Sequence, residues 1–411
     1  MQAEIVAIGT ELLLGHIIDT NSSWIARRLT TIGLNLYYTT TVGDNEARIV
    51  EVLRNALKRS DVVITTGGLG PTVDDKTRES VAAATGRDLV LDEQLLQEIG
   101  AFFARRGYPM TPNNQKQPCL PRGARVIHNP VGTAPCFAVE QDGHVIISLP
   151  GVPSEMQYLM ENEVLPYLRE RFQLRGVIKS RTLRTCGIGE SMVGAKIEDL
   201  MKLDNPTVGT AAHPGQTDVR ITAKADSEAQ ADALIAPVEQ QLRERLGEYI
   251  FGVDEETISD AVNAILADRG LRLSLVETST RGELAQWLVG AARGDVAFAG
   301  GMAVSDSSSL AQVLEIPSAL LEEQNFPNQE VADAAAQGVR RLHGADLGLS
   351  IIGPADPGAA DAPPVYYALA MPDRLVRGQP RKGRGGAVGR AWLMYLGLDL
   401  VRRVLLGLPV E

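Results

Sequence analysis

Residues 61–77 have the sequence DVVITTGGLGPTVDDKT, and this segment indicates the architecture of the first part of the chain. An apolar run typical of a buried strand ends in closely spaced glycines, and a helical pattern follows. The glycines are therefore expected at the carboxyl end of a sheet strand, where open α/β sheets bind ligands. Glycine lets the backbone approach a phosphate without an intervening Cβ, and the helix N-terminus offers free N–H groups. The stretch predicts a phosphate-binding loop at Gly67, Gly68 and Gly70.

Two carboxylates follow these glycines. Asp74 and Asp75 would repel an anionic substrate unless a divalent cation lay between them and the phosphate. The combination favours an oxygen-ligated site of the Mg²⁺ type. A purely structural alternative is that both carboxylates cap the next helix.

The preceding segments alternate between strand and helix patterns. Alternation at this spacing predicts βαβ units, a parallel sheet and helices on both of its faces. Glu11 follows the first strand and Asp44 follows the second, so both are expected at the sheet edge that carries the glycine loop. The predicted strands are residues 3–9, 34–42 and 61–68, and the predicted helices are residues 22–32, which Gly33 ends, and 45–58.

Several polar residues near this edge have two interpretations. Asn21 and Ser22 could cap the first helix or contact a ligand, and Asp44 could cap the second helix or bind the metal. Lys116 lies in an amide-rich segment that could bind a ribose or a phosphate. Glu155, in the first turn of a helix that Pro153 opens, also suits the positive end of the helix dipole.

Six segments, taken in order, resemble the N-terminal domain of the CinA (competence/damage-inducible protein) family. That domain is similar to molybdopterin-binding proteins, which implies a three-layer α/β fold. The segments are GTELLLGHIIDTNS (9–22), VGDN (42–45), TTGGLGPTVDDKTRE (65–79), KQPCLPRGA (116–124), NPVGTAPCF (129–137) and LPGVPSEM (149–156).

The resemblance implies a metal-dependent ADP-ribose pyrophosphatase that forms AMP and ribose 5-phosphate. On this basis Asp44, Asp74 and Asp75 are the expected catalytic residues, and Asp44 and Asp75 are expected to bind Mg²⁺, Mn²⁺ or Co²⁺. Cys136 stands where the family usually has glycine, which is expected to narrow the pocket slightly. The residues expected to contact substrate or phosphate are Gly67, Gly68, Gly70, Thr72, Glu11, Asn21 and Lys116.

The remaining sequence predicts two further domains, with boundaries near residues 174 and 253. Residues 175–253 suggest a small α+β domain, and residues 254–411 suggest an α/β domain that resembles the family's deamidase. Residues 353–364 and 374–390 are predicted to be mobile loops because they are rich in Gly, Pro, Ala or basic residues. The predicted elements of the last domain are a helix at 257–269, strands at 271–278, 294–304, 347–353 and 364–371, and a closing amphipathic helix at 389–407.

The deamidase motifs of the family are degenerate in this chain. Where the family has AESCTGG, residues 276–282 are VETSTRG, so Thr278 takes the position of the expected serine nucleophile, with Ser279 beside it. The family's YSNEAK segment aligns with residues 305–310, and Leu310 stands where the activating lysine is expected. A hydroxyl nucleophile without a neighbouring base is weak, so deamidase activity is expected to be lost.

Composition limits the choice of partner. The chain has 411 residues and a formal net charge of −11, which argues against a general nucleic-acid or membrane-surface binder. No apolar run approaches the roughly 18 residues of a membrane span, so a cytoplasmic location is expected. The small nucleotide substrate is implied by the family resemblance. The family resemblance implies a homodimer. The alternative function is a nucleotide- or molybdopterin-binding protein that does not hydrolyse its ligand and dimerises through its C-terminal domain.

Overall fold

The structure is a computed structural model that describes residues 1–305, 307–321 and 326–410. The chain folds into two compact units. The first comprises Met1–Lys179 and Ala223–Ala233, and the second comprises Ser180–Thr222 and Leu234–Glu411. The domain boundary predicted near residue 253 therefore falls inside the second unit.

The first unit is built on a mixed sheet with the strand order β2-β1-β3-β8-β7-β6. Strands β2, β1, β3 and β8 are parallel neighbours, and β7 and β6 continue the sheet in antiparallel fashion. A separate antiparallel pair joins β4 to β5. The strands are β1 (Gln2–Ile8), β2 (Asn35–Val42), β3 (Val62–Thr66), β4 (Leu89–Leu91), β5 (Cys119–Pro121), β6 (Arg125–Ile127), β7 (Cys136–Gln141) and β8 (His144–Leu149).

Helices cover both faces of this sheet, as predicted from the sequence. Ile5 packs into the cluster formed with α2, α6 and α7, whereas its neighbour Val6 packs into the cluster on the other face, with α3, α4 and α5. A strand that is buried on both faces is apolar at successive positions, which explains the continuous apolar runs. The helices are α1 (Thr10–Leu13), α2 (Thr20–Thr30), α3 (Glu46–Leu57), α4 (Thr77–Ala84), α5 (Glu93–Arg105), α6 (Pro153–Leu159) and α7 (Leu165–Phe172).

The turn between β7 and β8 is a two-residue hairpin at Asp142-Gly143, a dipeptide typical of such turns. Both residues have positive φ angles, 50° and 88°, as the favoured hairpin turn requires. After β8, the helical segment that Pro153 opens runs through α6, a π-helical stretch at Met160–Val164, and α7. The helix that Pro153 was predicted to open is therefore confirmed.

The second unit contains most of an antiparallel sheet and all of a mixed sheet. The first has the strand order β10-β11-β9-β12, and the second has the order β14-β13-β15-β16-β17. The strands are β9 (Val177–Cys186), β10 (Thr207–His213), β11 (Gln216–Ala225), β12 (Ile250–Val253), β13 (Leu273–Glu277), β14 (Phe298–Ala303), β15 (Leu347–Ile352), β16 (Val365–Ala370) and β17 (Leu375–Arg381).

Both helices predicted for the last domain form, at Ile258–Asp268 and Gly386–Leu406, whereas the strand predicted at 294–304 begins with a short helix at Gly294–Ala297. The helix predicted at 257–269 begins with Thr257 as its N-cap in a capping box with Asp260. The helices are α8 (Glu190–Ile197), α9 (Glu228–Leu246), α10 (Ile258–Asp268), α11 (Glu283–Gly290), α12 (Gly294–Ala297), α13 (Ser307–Leu314), α14 (Gln329–Leu342) and α15 (Gly386–Leu406).

One predicted loop is wrong. Residues 374–390 do not form a continuous mobile loop, because Leu375–Arg381 is strand β17, which pairs with β16 at the edge of the sheet. Pro380 is compatible with this position, since an edge strand has an unpaired side on which a missing N–H costs little. By contrast, residues 353–364 have no regular secondary structure, as predicted.

None of the described helices combines the length and the apolar character that crossing a membrane requires.

We expect Ile64→Ala to lower the free energy of unfolding of the first unit by about 2–5 kcal/mol, because Ile64 is completely buried in the sheet core. Urea unfolding of the full chain would be followed with Trp24 as the sole tryptophan (Trp287→Phe, Trp392→Phe), since Trp24 packs on the same core. The matched control is Ile18→Ala, whose side chain is 87% exposed and whose effect should stay within about 0.5 kcal/mol. Equal effects of the two changes would contradict this assignment of the core.

Candidate functional site

A cavity of about 530 Å³ lies at the carboxyl ends of the parallel strands of the first unit. The loops that follow β1, β2, β3 and β8 all contribute to its lining. Eight of the residues predicted for the site line it together, and they are Glu11, Asn21, Asp44, Gly67, Gly68, Gly70, Asp74 and Asp75. The geometry thus brings most of the predicted residues to one place.

The glycine loop is shaped by close backbone contact. Gly67 has φ +104°, and a Cβ built on it would lie 2.1 Å from the carbonyl oxygen of Ile8. Gly68 has φ +65°, and a Cβ there would lie 2.3 Å from the hydroxyl of Thr77. Side chains other than hydrogen are therefore excluded at both positions.

A buried arginine that was not predicted from the sequence donates hydrogen bonds to carbonyl oxygens of this loop. Arg78 is 1% exposed and donates hydrogen bonds to the carbonyl oxygens of Leu69 (2.6 Å) and Gly70 (2.9 Å). The hydroxyl of Thr77 similarly donates to the carbonyl oxygen of Gly67 at 2.8 Å. Desolvation by burial lowers the pKa of Arg78. The signal was present as an arginine in the first turn of the helix after the loop, but a basic residue there is normally solvated.

The two aspartates after the loop do not cap α4. Its N-cap is Lys76, whose side chain makes no capping bond, so the structural alternative considered for these residues is wrong. Instead, Asp75 Oδ2 accepts hydrogen bonds from the backbone N–H (2.7 Å) and the hydroxyl (2.5 Å) of Thr72. A hydrogen bond from the Thr72 side chain is also the largest cause that lowers the pKa of Asp74. Both carboxylates therefore stay close to the loop and border the cavity.

Thr72 and Lys116, which were predicted to bind phosphate, are not among the residues that line the cavity. Thr72 is engaged by Asp75, as described above. The ammonium group of Lys116 donates to the carbonyl oxygens of Thr72 and Asp75, the latter at 3.2 Å. Desolvation lowers the pKa of Lys116. Lys116 thus stabilises the loop through its carbonyl oxygens instead of facing the cavity.

Asp44 links the ends of the first two strands. Its Oδ2 accepts a hydrogen bond from the backbone N–H of Thr10 at 2.8 Å, and the hydroxyl of Thr10 accepts one from the N–H of Asp44 at 3.1 Å. Helix α3 is capped by Asn45, whose side chain accepts from Arg48 N. The capping alternative for Asp44 is therefore wrong.

Asn21 faces the cavity from the first turn of α2. Asp19 caps this helix, so capping by Asn21 or Ser22 is wrong. The Nδ2 of Asn21 donates to Thr66 Oγ1 (3.1 Å) and to the carbonyl oxygen of Gly151 (2.8 Å). Its Oδ1 is buried and has no hydrogen-bond partner among the described residues. An acceptor without a partner at the wall of a cavity is suited to a ligand donor.

The cavity is strongly acidic. Asp19 and Glu155 line it in addition to the four predicted carboxylates, and no Lys, Arg or His is found among the described residues of its lining. Glu155 accepts a hydrogen bond from Asn129 Nδ2 at 2.6 Å. Cys136 is completely buried in the core and does not line the cavity. The expectation that Cys136 narrows the pocket is therefore wrong.

A preassembled metal centre is not evident. Within residues 1–305, 307–321 and 326–410, no group of three or more His, Cys, Asp or Glu side chains is arranged to hold a metal ion. The donor set still suits a hard divalent cation, because the acidic side chains of the cavity supply only oxygen. Mg²⁺ is commonly held by one or two carboxylates together with substrate phosphates.

Three family models match successive parts of the chain. A probable molybdopterin binding domain matches residues 4–170, a damage-inducible protein CinA KH domain matches residues 180–252, and a CinA C-terminal domain matches residues 255–382. A putative competence-damage inducible protein of Moorella thermoacetica is 43% identical over 358 residues, covering 87% of this chain and 86% of that protein. The chain belongs to the CinA family.

Relatives of this CinA-family chain match over its whole length. A CinA-like protein of Dictyoglomus turgidum is 39% identical over 413 residues, covering 99% of this chain and 100% of that protein. The crystal structure of the CinA protein from Thermoplasma acidophilum is 36% identical and covers 41% of this chain and 97% of that chain, with a TM-score of 0.38.

The residues that were aligned with the expected deamidase motifs make hydrogen bonds or packing contacts within the second unit. The hydroxyl of Thr278 donates to the carbonyl oxygen of Gly353 (2.9 Å) and accepts from the N–H of the same residue (2.8 Å). Ser279 is buried and donates to the carbonyl oxygen of Pro354 at 2.9 Å. Leu310 is buried in a hydrophobic cluster. Asp306, which lies in the segment aligned with YSNEAK, is outside the described residues.

A buried carboxylate beside these residues was not singled out from the sequence. Glu277 is completely buried and accepts hydrogen bonds from the N–H groups of Leu284 (3.3 Å) and Ala285 (3.0 Å), in the first turn of α11. The hydroxyl of Thr280 also donates to it. Glu277 therefore fixes the start of α11 to the end of β13.

We expect Gly67→Ala to destabilise the first unit by more than about 1 kcal/mol, because it combines a positive φ with the contact to Ile8. Gly143→Ala is the matched control, since Gly143 has φ +88° but no neighbouring atom within 4 Å of its built Cβ. Its cost should be limited to backbone strain. Urea unfolding with Trp24 as the reporter measures both changes, and equal losses would show that the backbone contact at Gly67 is unimportant.

Proposed function

We propose that the first unit hydrolyses the pyrophosphate bond of ADP-ribose, releasing AMP and ribose 5-phosphate, with the help of a divalent cation. The observation that carries this proposal is the convergence of a glycine loop and several carboxylates on one cavity that lacks basic residues in its described lining. Its volume of about 530 Å³ is within the usual range for a small-molecule site.

The charge of the cavity is the reason to include a cation. A diphosphate carries negative charge, and the carboxylates of Glu11, Asp44, Asp74 and Asp75 would repel it. Lys116 and Arg78 are close by, but both are bonded to loop carbonyls. A bound Mg²⁺, Mn²⁺ or Co²⁺ would neutralise the diphosphate and polarise its phosphorus–oxygen bonds. Asp44 and Asp75 are the proposed protein ligands.

The chain's own residues would orient the substrate and water. The backbone of Gly67, Gly68 and Gly70 would approach the phosphates, because no Cβ intervenes. Asn21 would accept a hydrogen bond from the substrate through its unpartnered Oδ1. Asp74, whose lowered pKa keeps it ionised, would accept a hydrogen bond from the attacking water. The water oxygen bonds to one phosphorus, the bridging phosphorus–oxygen bond breaks, and the proton passes to solvent.

We expect purified protein to release AMP from ADP-ribose when Mg²⁺, Mn²⁺ or Co²⁺ is added, and Asp75→Ala to lower kcat/KM by at least about 100-fold, as removal of a key electrostatic group typically does. Asp75→Asn retains an oxygen that can accept the hydrogen bonds from Thr72, but it loses the negative charge. It therefore distinguishes an effect on metal binding from an effect on the structure of the loop. AMP would be quantified by chromatography.

The matched control for this experiment is Asp88→Ala, because its side chain is 83% exposed and it is not part of the cavity lining. This variant should retain wild-type activity. The proposal is overturned if none of the three metals supports AMP release, or if Asp75→Ala hydrolyses ADP-ribose as fast as the wild type.

A second candidate function is binding of a nucleotide or a molybdopterin without hydrolysis. It is favoured by the hydrogen bonds that already engage Asp44 and Asp75, together with the lack of a preassembled metal group among the described residues. The C-terminal region would then act as a dimerisation domain. Calorimetry with ADP-ribose, AMP and a molybdopterin analogue distinguishes the two functions, since tight binding without turnover favours this one.

We expect no release of ammonia from nicotinamide mononucleotide. The hydroxyls of Thr278 and Ser279 are bonded to backbone groups, and Leu310 occupies the position expected for the activating lysine. A coupled ammonia assay should give the same background rate for the wild type and for Ser279→Ala. Ammonia release that Thr278→Ala or Ser279→Ala abolishes would disprove the loss of this activity.

A further inference from the structure

The cavity of the first unit extends along the strand order of its sheet, and its two ends differ chemically. Asp44 follows β2 and Glu11 follows β1, whereas Glu155 comes after β8, on the far side of the glycine loop that follows β3. Neighbouring strands are about 4.8 Å apart, so the ends of β2 and β8 lie roughly 14 Å from each other. A ligand whose phosphates lie at the glycine loop therefore has room to extend towards Glu155.

The part of the cavity beside Glu155 has mostly apolar walls. We call it the β8 end, and its lining consists of Thr133, Ala134, Pro150, Gly151, Val152, Pro153 and Glu155, with Asn21 from α2. Among these described residues, only Glu155 is ionisable. Its negative charge repels a phosphate, so the β8 end is suited to a neutral part of a ligand.

The carboxylate of Glu155 is held in one orientation by the loop before β7. Its Oε2 accepts a hydrogen bond from Asn129 Nδ2 at 2.6 Å, and Asn129 Oδ1 accepts from the N–H groups of Val131 (3.2 Å) and Gly132 (3.0 Å). A Cβ built on Gly132 would lie 1.8 Å from Glu155 Oε2, so only glycine leaves room for this carboxylate. The loop therefore fixes one carboxylate oxygen of Glu155 and leaves the other free.

Two hydrogen-bond acceptors at the β8 end are unused. Oε1 of Glu155 accepts no hydrogen bond from the residues that the structure describes. The same holds for the buried Oδ1 of Asn21, whose Nδ2 donates to the carbonyl oxygen of Gly151 at 2.8 Å. Unused acceptors at a cavity wall call for donors on the ligand. The 2,3-diol of a ribose supplies two hydroxyl donors on adjacent carbons, and a carboxylate recognises a ribose hydroxyl in dinucleotide-binding folds in this way.

We infer that Glu155, together with Asn21, binds the 2,3-diol of a ribose in the substrate and makes the first unit selective for ribose over deoxyribose. This inference rests on the proposed function, because phosphates at the glycine loop set the position of the ribose. The diol donates a charge-assisted hydrogen bond to Glu155, while the apolar walls contact the carbon atoms of the sugar. ADP-ribose has two such diols, one in its adenosine and one in its terminal ribose.

The test compares three substrates with the full chain and an added divalent metal. They are ADP-ribose, the analogue without the 2-hydroxyl of the adenosine ribose, and the analogue without the 2-hydroxyl of the terminal ribose. Chromatography of the released AMP or deoxy-AMP gives kcat/KM for each. One of the two analogues should have a kcat/KM at least about tenfold below that of ADP-ribose, because it lacks a donor to a charged acceptor. The analogue that is disfavoured identifies which ribose is bound.

The decisive variant is Glu155→Gln. Its amide oxygen can still accept the hydrogen bond from Asn129, but the free carboxylate oxygen becomes an uncharged NH₂ group. The preference for ADP-ribose over the disfavoured analogue should fall at least about threefold, because a charge-assisted hydrogen bond is lost. Damage to the loop alone lowers kcat/KM for all three substrates equally, so the preference reports on the diol. Asn21→Ala, which removes the other free acceptor, should also reduce the preference and serves if Glu155→Gln does not fold.

Glu163→Gln is the matched control. It makes the same change on the same helical segment, at a residue that is exposed and does not line the cavity. The preference should stay within about twofold of the wild-type value, as is usual for a surface substitution away from a site.

Two results would overturn the inference. The wild type could hydrolyse both analogues as efficiently as ADP-ribose, or Glu155→Gln could leave the preference unchanged. Failure of the proposed function is a separate outcome, which appears as no AMP release from ADP-ribose by the wild type. The ratio of the Kd values of the same three compounds, measured by calorimetry, then decides the inference. Equal Kd values, or no binding of ADP-ribose, would overturn it.

Discussion

The end of β1 and the turn after β3 meet backbone to backbone at Gly67, and the candidate site of the first unit depends on this contact. The carbonyl oxygen of Ile8 occupies the space that a Cβ at Gly67 would need. The N–H of Gly67 donates to Leu149 O, and the N–H of Gly9 donates to Val42 O, each at 3.0 Å. These bonds connect the ends of the parallel strands, so the loops that follow them converge on one cavity.

The cavity is negatively charged because acidic and basic side chains near it have different positions. Acidic side chains line it, whereas the nearby basic residues Arg78 and Lys116 donate hydrogen bonds to carbonyl oxygens of the loop. These hydrogen bonds stabilise the tight turn of the glycine loop. It also leaves an anionic ligand without a protein cation in the described lining, which is why a divalent ion is central to the proposed chemistry.

The sequence was most informative where the signal is local and repetitive. Strand and helix patterns predicted the two-sided sheet, and the ends of successive strands placed Glu11, Asp44 and the glycine loop on one edge. Predictions failed where several neighbouring residues were equally suited to the same structural role, such as capping a helix. Asp19 caps α2 although Asn21 is equally suited by residue type, because the choice depends on the turn that precedes the helix. The role of Arg78 depends on tertiary packing. Strand β17 was predicted to be a loop because it contains Pro380 and several basic residues.

The bonds between Thr278 and Gly353 affect how relatives of this chain should be compared. A hydroxyl that both donates to and accepts from one backbone residue joins the ends of β13 and β15 without any chemistry. A threonine or serine at this position is therefore favoured by stability alone. A hydroxyl retained at this position in an alignment is consequently explained by structure without reference to catalysis.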